Sequence, residues 1–458
     1  MRADRSRLPA PGADPPFRSP SIVRHTLKNG LKIRTVEHHN APVLTFVMKI
    51  DGGLGADAAG KEGLASITAD MVDEGTGDLS AIEVSDALAR IGGEYDVEVG
   101  ADSTMFGLTT LTRFAARGAA LLSSILTKPT LRESDFERLR QLRLDRITQL
   151  KDLPPAVAER AFLRLLYGSH PYGHLAVGTD SALRELRLDD VEHFHAATFL
   201  PWRSTLVVAG AMLHDELLSV AEDAFGGWSG DESISDLPHA AADLTPGDLP
   251  SGVLAIVPRD AAAQSELRIG HLSARRNTPD YTPLLVMNAI LGGQFVSRIN
   301  LKLREEKAFT YGVRTGFDWR LGLGPFSVQT SVHTAATAEA IADSLAEIAG
   351  IRETRPPTEQ EMSLAKASLT RGYPRNFETA QQVARSVAQL ALFDLPDSYF
   401  EEFVPKVDAV AVDDVTRVAQ TYLDPSRAIT LVVGDLKATE ASLRALGLGE
   451  LQVLPAQG

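Results

Sequence analysis

Cysteine is absent from all 458 residues. Its absence excludes disulfide scaffolds, thiol nucleophiles and cysteine-bound zinc, leaving histidine and carboxylates as possible metal ligands. Long apolar runs are missing too. Nowhere do roughly 18 apolar residues follow one another, so no membrane-spanning helix is predicted. Positive charge is in deficit, with 46 Lys and Arg against 60 Asp and Glu and a net charge of −14. Nucleic acid is therefore not expected as the main partner, and the surface should repel copies of itself. The opening residues, MRADRSRLPAPGADPPFRSP, lack the apolar stretch of a signal peptide. Their Pro/Ala-rich texture predicts a flexible arm over residues 1–22, of the kind that follows a removed signal peptide. This reading expects a periplasmic protein; a cytoplasmic protein with a disordered arm is the alternative.

What is present is an ordinary globular composition, 44% hydrophobic and 23% charged, over a length at which single cores stop growing. Two or more domains are expected. Strand-like runs at Leu31 to Val36 and Val43 to Ile50 are bounded by Asn29-Gly30 and Asp51-Gly52-Gly53. Helices are expected at Lys61 to Asp73, Ser80 to Ile91, Phe114 to Leu126 and Ser134 to Lys151, and strands near Asp96 to Val99 and Thr104 to Thr112. The mixture lacks the strict alternation of a doubly wound sheet. It also repeats. Leu188-Asp189-Asp190-Val191 recurs as Val412-Asp413-Asp414-Val415, Pro201 as Pro425, and Val207-Val208-Ala209-Gly210 as Leu431-Val432-Val433-Gly434, every pair 224 positions apart. Each copy reads as a helix with an N-cap Asp, a turn at proline and a buried strand ending in glycine. The fold class is α+β, with two homologous α/β lobes over residues 23–228 and 253–458. An Asp/Pro/Ser/Gly-rich linker over 229–252 joins them.

One stretch of the second copy, Leu291 to Gly312, reads LGGQFVSRINLKLREEKAFTYG. Gly292-Gly293 breaks an apolar run, and a helix is expected from Ser297 to Lys307 with Arg298, Lys302 and Glu306 on one face. Phe309-Thr310-Tyr311 then looks like the start of a strand, which sets Arg304 and Tyr311 seven positions apart across a corner. By themselves these residues describe a solvated helix leading into a core strand. The histidines suggest no metal site. His170 and His174 are four apart, but Pro171 and Gly173 between them make a loop; His193 and His195 point apart on a helix, and His38-His39 falls in a turn. Ser66 has no His or Lys base near it in sequence and is not expected to be a nucleophile.

The stretch resembles the second-half motif of the pitrilysin/insulinase-like peptidases, which include the mitochondrial processing peptidase. Ser297, Arg298, Leu303, Arg304, Glu305, Lys307 and Tyr311 match, while Ala308 replaces the usual glycine. The two similar halves match as well, so the resemblance covers nearly the whole chain from Val23. It implies that Arg304 and Tyr311 face a zinc site and hold the substrate peptide, supported by Arg298 and the Gly292-Gly293 loop. A guanidinium fork and a phenol hydroxyl are fitting donors for a substrate carbonyl or a developing oxyanion.

Active members of that family carry H-x-x-E-H in the first half, two zinc-binding histidines and a water-activating glutamate, with a further Glu ligand on a later helix. Here Ser66 and Asp70 stand at the histidine positions, Ala69 at the base and Leu144 at the last ligand. Glu74-Gly75-Thr76 and Glu137-Arg138 keep the frame. Asp70 and Asp73 alone, without imidazole, would make no closed zinc site. The resemblance thus implies the non-zinc subunit of a heterodimeric zinc metalloendopeptidase. Two such chains close like a clamshell, with zinc on a homologous partner bearing H-x-x-E-H and a peptide or unfolded polypeptide as substrate. This chain then needs no cofactor of its own and is inactive alone. The alternative is a non-catalytic peptide-binding or assembly subunit of the same fold. A homodimeric enzyme with an unusual metal site ranks third.

Overall fold

The two copies of the repeat form two six-stranded sheets of matching topology. They are seen in a computed structural model that describes residues 17–231, 244, 250 and 252–455. In chain order the first lobe carries β1 (Ile22–Thr26), β2 (Lys32–Glu37), β3 (Val43–Asp51), a separate small hairpin of β4 (Gly75–Thr76) and β5 (Leu79–Ser80), then β6 (Glu94–Val99), β7 (Ser103–Leu111) and β8 (Ser204–Gly210). The second carries β9 (Val253–Pro258), β10 (Gln264–Leu272), β11 (Val313–Phe317), β12 (Pro325–His333), β13 (Ile429–Gly434) and β14 (Leu451–Val453).

The sheet orders are β1-β2-β8-β3-β7-β6 and β14-β9-β13-β10-β12-β11. In both, one central pair is parallel (β2 with β8, β9 with β13) and the next three pairs are antiparallel. Only the outer strands differ: β1 runs antiparallel to β2, and β14 parallel to β9. All seven residues of β8 and all six of β13 are buried, in keeping with the apolar stretches Leu206-Val207-Val208-Ala209 and Leu431-Val432-Val433 at their centres.

The 224-residue repeat marks one structural unit, the helices Leu188–Thr198 and Val412–Tyr422 followed by turns at Pro201 and Pro425. Its capping differs in detail from expectation. Asp190 and Asp414 sit inside the first turn and reach back, each accepting at 2.9 Å from the N–H of Arg187 and Ala411 respectively. The aspartates satisfy orphan donors without themselves being N-caps.

Five helices position the site: α1 (Leu64–Met71), α2 (Glu133–Leu150), α3 (Pro154–Tyr167), α4 (Tyr281–Leu291) and α5 (Ala380–Leu392). Two of them are exchanged. α3 opens on Pro154-Pro155, whose fixed φ and missing N–H suit a first helical turn. Its Val157, Ala161 and Phe162 pack on Ala255, Val257, Ile429 and Leu431 of the second sheet. α5 opens on a capping box: Thr379 N donates to Gln382 at 3.0 Å and Gln382 N to Thr379 Oγ1 at 3.2 Å. Its Val383, Ala384 and Val387 pack on Val36, Val47, Val207 and Ala209 of the first sheet. Each lobe's own helices cover the opposite sheet face.

The lobes are also clasped at their equivalent hairpins. Asp102, between β6 and β7, accepts from Leu321 N–H at 2.9 Å, between β11 and β12. The Arg320 guanidinium lies over the Tyr167 and Tyr172 rings, 4.9 and 4.7 Å from their centres. Of the arm expected over 1–22, residues 1–16 lie outside the described residues, and the remainder is tied down. The Phe17 ring sits 5.2 Å from that of Tyr373 and 5.0 Å from that of Phe377, Ser19 Oγ donates to Glu401 at 3.0 Å, and just beyond the arm Arg24 forks onto Asp397 at 2.8 and 2.6 Å. Of the linker expected over 229–252, only residues 229–231, 244, 250 and 252 are described. No helix among the described residues is long and apolar enough to cross a membrane.

Candidate functional site

In the first lobe, Asp57 fixes the start of α1. Its carboxylate accepts from Gly63 N and Ala65 N, each at 2.7 Å, and from His174 Nε2 at 2.9 Å. One face of the helix then carries Ser66 and Asp70, and Asp73 follows in the turn after it. Ser66 is buried and its Oγ has no hydrogen-bond partner; Ala69 is buried as well. Asp70 is already engaged: Arg143 on α2 donates to its Oδ2 from Nη2 at 2.6 Å and Nε at 3.1 Å, and from Nη1 to the Ala176 carbonyl at 3.1 Å. Leu144, next along α2, is buried in an apolar cluster with Ala65, Ile67 and Phe136.

These residues do not fit zinc. The place offers a serine hydroxyl and a carboxylate forked by a guanidinium, with no imidazole, and the last ligand position is a leucine packed in hydrocarbon. Among the described residues no group of three or more His, Cys, Asp and Glu is placed to hold a metal ion. Nearby, burial together with the charges of Glu74 and Asp70 pushes the Asp73 carboxyl up to about 6. Two of the histidines meet backbone carbonyls: His195 Nε2 that of Leu126 at 2.9 Å, and His38 Nε2 that of Phe377 at 3.2 Å.

In the second lobe, Arg304 and Tyr311 line one groove of about 770 Å³ together with Gly292 and Gly293. The helix expected from Ser297 to Lys307 is regular only over Arg298–Asn300, then widens into a π-type turn over Leu301–Glu306. Lys307 N bonds the Lys302 carbonyl, five residues back, at 3.2 Å. Such widened turns are frequent at functional sites, because one extra residue redirects the side chains that follow. Here the Arg304 guanidinium lies 4.2 Å from the centre of the Phe295 ring. Phe295 gives no sequence signal beyond being an apolar residue in a polar loop. Ala308 closes the turn with φ +52°, in the left-handed region that favours the family's glycine.

The strand expected to begin at Phe309-Thr310-Tyr311 starts only at Val313. Thr310 Oγ1 accepts from Gly312 N at 3.1 Å, turning the chain back and leaving Tyr311 93% exposed at the mouth of the groove. Gly292 is held by close packing. A Cβ there would lie 2.3 Å from the Thr315 methyl, and its carbonyl accepts from Thr315 N at 3.1 Å. Arg298 does not join the groove. It points to the far side of the helix, donating to Glu361 from Nε at 2.6 Å and Nη2 at 2.8 Å and to the Arg355 carbonyl at 2.6 Å. With Lys302 and Glu306 it lines a separate surface hollow that Arg304 does not share.

The two lobes treat their equivalent edge strands differently. The outer edge of β11 is closed by Gly292, by Asn300 Oδ1 accepting from Val313 N at 2.9 Å, and by Asn288 Nδ2 donating to the Thr315 carbonyl at 3.2 Å. The outer edge of β6, beside α1, meets no such group among the described residues. It is open to an added strand.

Comparison with known proteins agrees with this architecture. The profile of the insulinase family (peptidase family M16) matches residues 32–180, and that of the peptidase M16 inactive domain matches residues 185–369. An uncharacterized zinc protease of Mycobacterium leprae is 24% identical over 412 residues, covering 89% of this chain and 90% of its own. Mitochondrial-processing peptidase subunit beta of Lentinula edodes is 24% identical over 422 residues, covering 87% and 86%. Among solved structures, a protease from Helicobacter pylori matches with TM-score 0.83 at 19% identity, over 90% of this chain and 99% of that one. A peptidase M16 inactive domain from Pseudomonas fluorescens matches with TM-score 0.80 at 20% identity, over 90% and 98%. With two profiles of one family laid end to end along the chain and the paired lobes reproduced in the solved folds, this protein belongs to peptidase family M16, the insulinase-like peptidases.

Proposed function

We propose that this chain is the non-zinc subunit of a two-chain zinc metalloendopeptidase, contributing Arg304 and Tyr311 to a site whose metal is held by a homologous H-x-x-E-H partner. The observation that carries the reading is the contrast between the lobes. The first has a serine, a committed aspartate and a leucine where ligands would be, while the second keeps a guanidinium and a phenol in one groove. Arg304 offers a planar fork to a substrate carbonyl, and Tyr311 a single O–H. A fully solvated phenol is a weak oxyanion donor, because water competes for the same charge. Tyr311 therefore acts only once another surface covers the groove, which a facing subunit would do. Gly292 and Gly293 shape the wall, and Arg298 holds the helix from behind. The second reading, a non-catalytic peptide-binding subunit, draws on the open β6 edge.

Steady-state kinetics of the complex reconstituted with its metal-bearing partner separates the two. On the catalytic reading, Tyr311→Phe lowers kcat/KM by about 10²-fold, as for loss of one oxyanion donor. Arg304→Lys is also harmful, because a point charge does not replace two fixed donors. A Tyr311→Phe complex with unchanged kcat/KM removes the catalytic role and leaves peptide binding or assembly.

A further inference from the structure

We propose a second binding site, for a small oxyanion, in the first-lobe cavity at the C-terminal half of α3, with Arg160 and Arg164 as its cationic donors. The cavity has a volume of about 320 Å³ and shares no lining residue with the Arg304/Tyr311 groove. That size sits at the lower end of the roughly 300–1,000 Å³ typical of small-ligand sites.

Arg160 is the reason to expect an anion. Its Nη2 is buried with no hydrogen-bond partner. Burial lowers its pKa, and no neighbouring acid offsets that effect. Arg160 as a whole is half-buried, but a guanidinium nitrogen closed off from water and left unpaired is costly, so such nitrogens normally meet an acceptor. Here the chain does not supply one. Arg164, one helical turn on, gives a single N–H to the Gly168 carbonyl at 2.8 Å and presents its other donors at the exposed rim. Ser169, Thr179 and Ser181 add hydroxyls to the wall.

Two carboxylates also line the cavity, and both are held elsewhere. Asp57 accepts from Gly63 N, Ala65 N and His174, as described above. Glu62 accepts from Gly60 N at 3.1 Å and from Thr179 Oγ1 at 3.4 Å. Neither pairs with Arg160. A planar or tetrahedral oxyanion would give Arg160 the fork geometry it lacks and would use the hydroxyls as further donors. Two sources share that chemistry, a free anion such as phosphate and the terminal carboxylate of a peptide. The site does not depend on the proposed function, because neither Arg304 nor Tyr311 takes part.

The test is calorimetric titration of the full chain, with thermal melting in parallel. Three probes are used: inorganic phosphate, a short peptide with a free C-terminus and the same peptide amidated. Saturable binding of phosphate, or of the acid but not the amide, is expected and identifies the source. Arg160→Met should weaken that binding by about tenfold or more, and without ligand it should melt no lower than wild type, since it removes a half-buried guanidinium with one unpaired nitrogen. Arg164→Gln, at the exposed rim where only the bond to the Gly168 carbonyl is lost, should also weaken binding and keeps the test valid if Arg160→Met does not fold. The proposal is overturned if wild type binds neither phosphate nor the free acid at millimolar concentration, or if Arg160→Met and Arg164→Gln bind as wild type does.

Discussion

Ala308 stands at φ +52°, where a glycine would carry no Cβ penalty. Ala308→Gly should therefore raise stability by about 0.5–1 kcal/mol, read as a shift in denaturant midpoint, without changing the groove. The mismatch at this position was visible in the sequence; the widened turn that makes it strained was not, because an extra residue in a turn leaves the 3.6 periodicity almost intact. Arg298 teaches the converse. Its place in the motif suggests substrate contact, but its partner Glu361 lies 63 residues on, beyond any local pattern. Arg298→Ala should cost about 2 kcal/mol and leave kcat/KM of the reconstituted pair unchanged. Asp73 gives a pH signature. Its carboxyl is raised from 3.8 to about 6 in the folded chain, so its favourable contribution is complete below about pH 4 and is lost as pH rises through 6. Asp73→Asn should be more stable than wild type by on the order of 2 kcal/mol at pH 8, with the difference vanishing towards pH 4 in pH-dependent melts.

At the level of elements, most boundaries were legible. The helix expected over Ser134 to Lys151 is found at Glu133–Leu150, and the strand expected over Val43 to Ile50 at Val43–Asp51. Period and turn residues act locally, so sequence carries them. The exchange of α3 and α5 was not legible. An apolar stripe such as Val383, Val387 and Leu390 tells that a helix face is buried, and nothing in it tells which sheet covers it. The exchange has a thermodynamic consequence. Each sheet needs a helix from the other lobe, so the chain should unfold in one calorimetric transition, and residues 17–231 alone should not fold cooperatively. A separate, cooperative melt of that fragment would contradict the packing described. Leu390→Ala, on a helix of the second copy, should lower the stability of the whole chain by roughly 2–5 kcal/mol.

At the scale of the molecule, the two-lobed plan was readable because the 224-residue repeat has structural counterparts in matching sheets. The asymmetry between lobes was only half readable. Missing histidines were plain from Ser66 and Asp70, but the Arg143 fork that occupies Asp70 required the fold to bring together residues 73 apart. That fork also bears on repair: histidines at 66 and 70 would still face Arg143 and the buried Leu144 instead of a third ligand. On the proposed function this chain supplies half of a peptidase site and no metal. This is tested most directly by metal analysis of the purified, dialysed chain, coupled to a peptide-cleavage assay before and after adding the H-x-x-E-H partner. Far less than one zinc per chain is expected, with no cleavage alone and cleavage in the mixture above that of the partner by itself. About one zinc per chain, with chelator-sensitive cleavage in the absence of any partner, would contradict it.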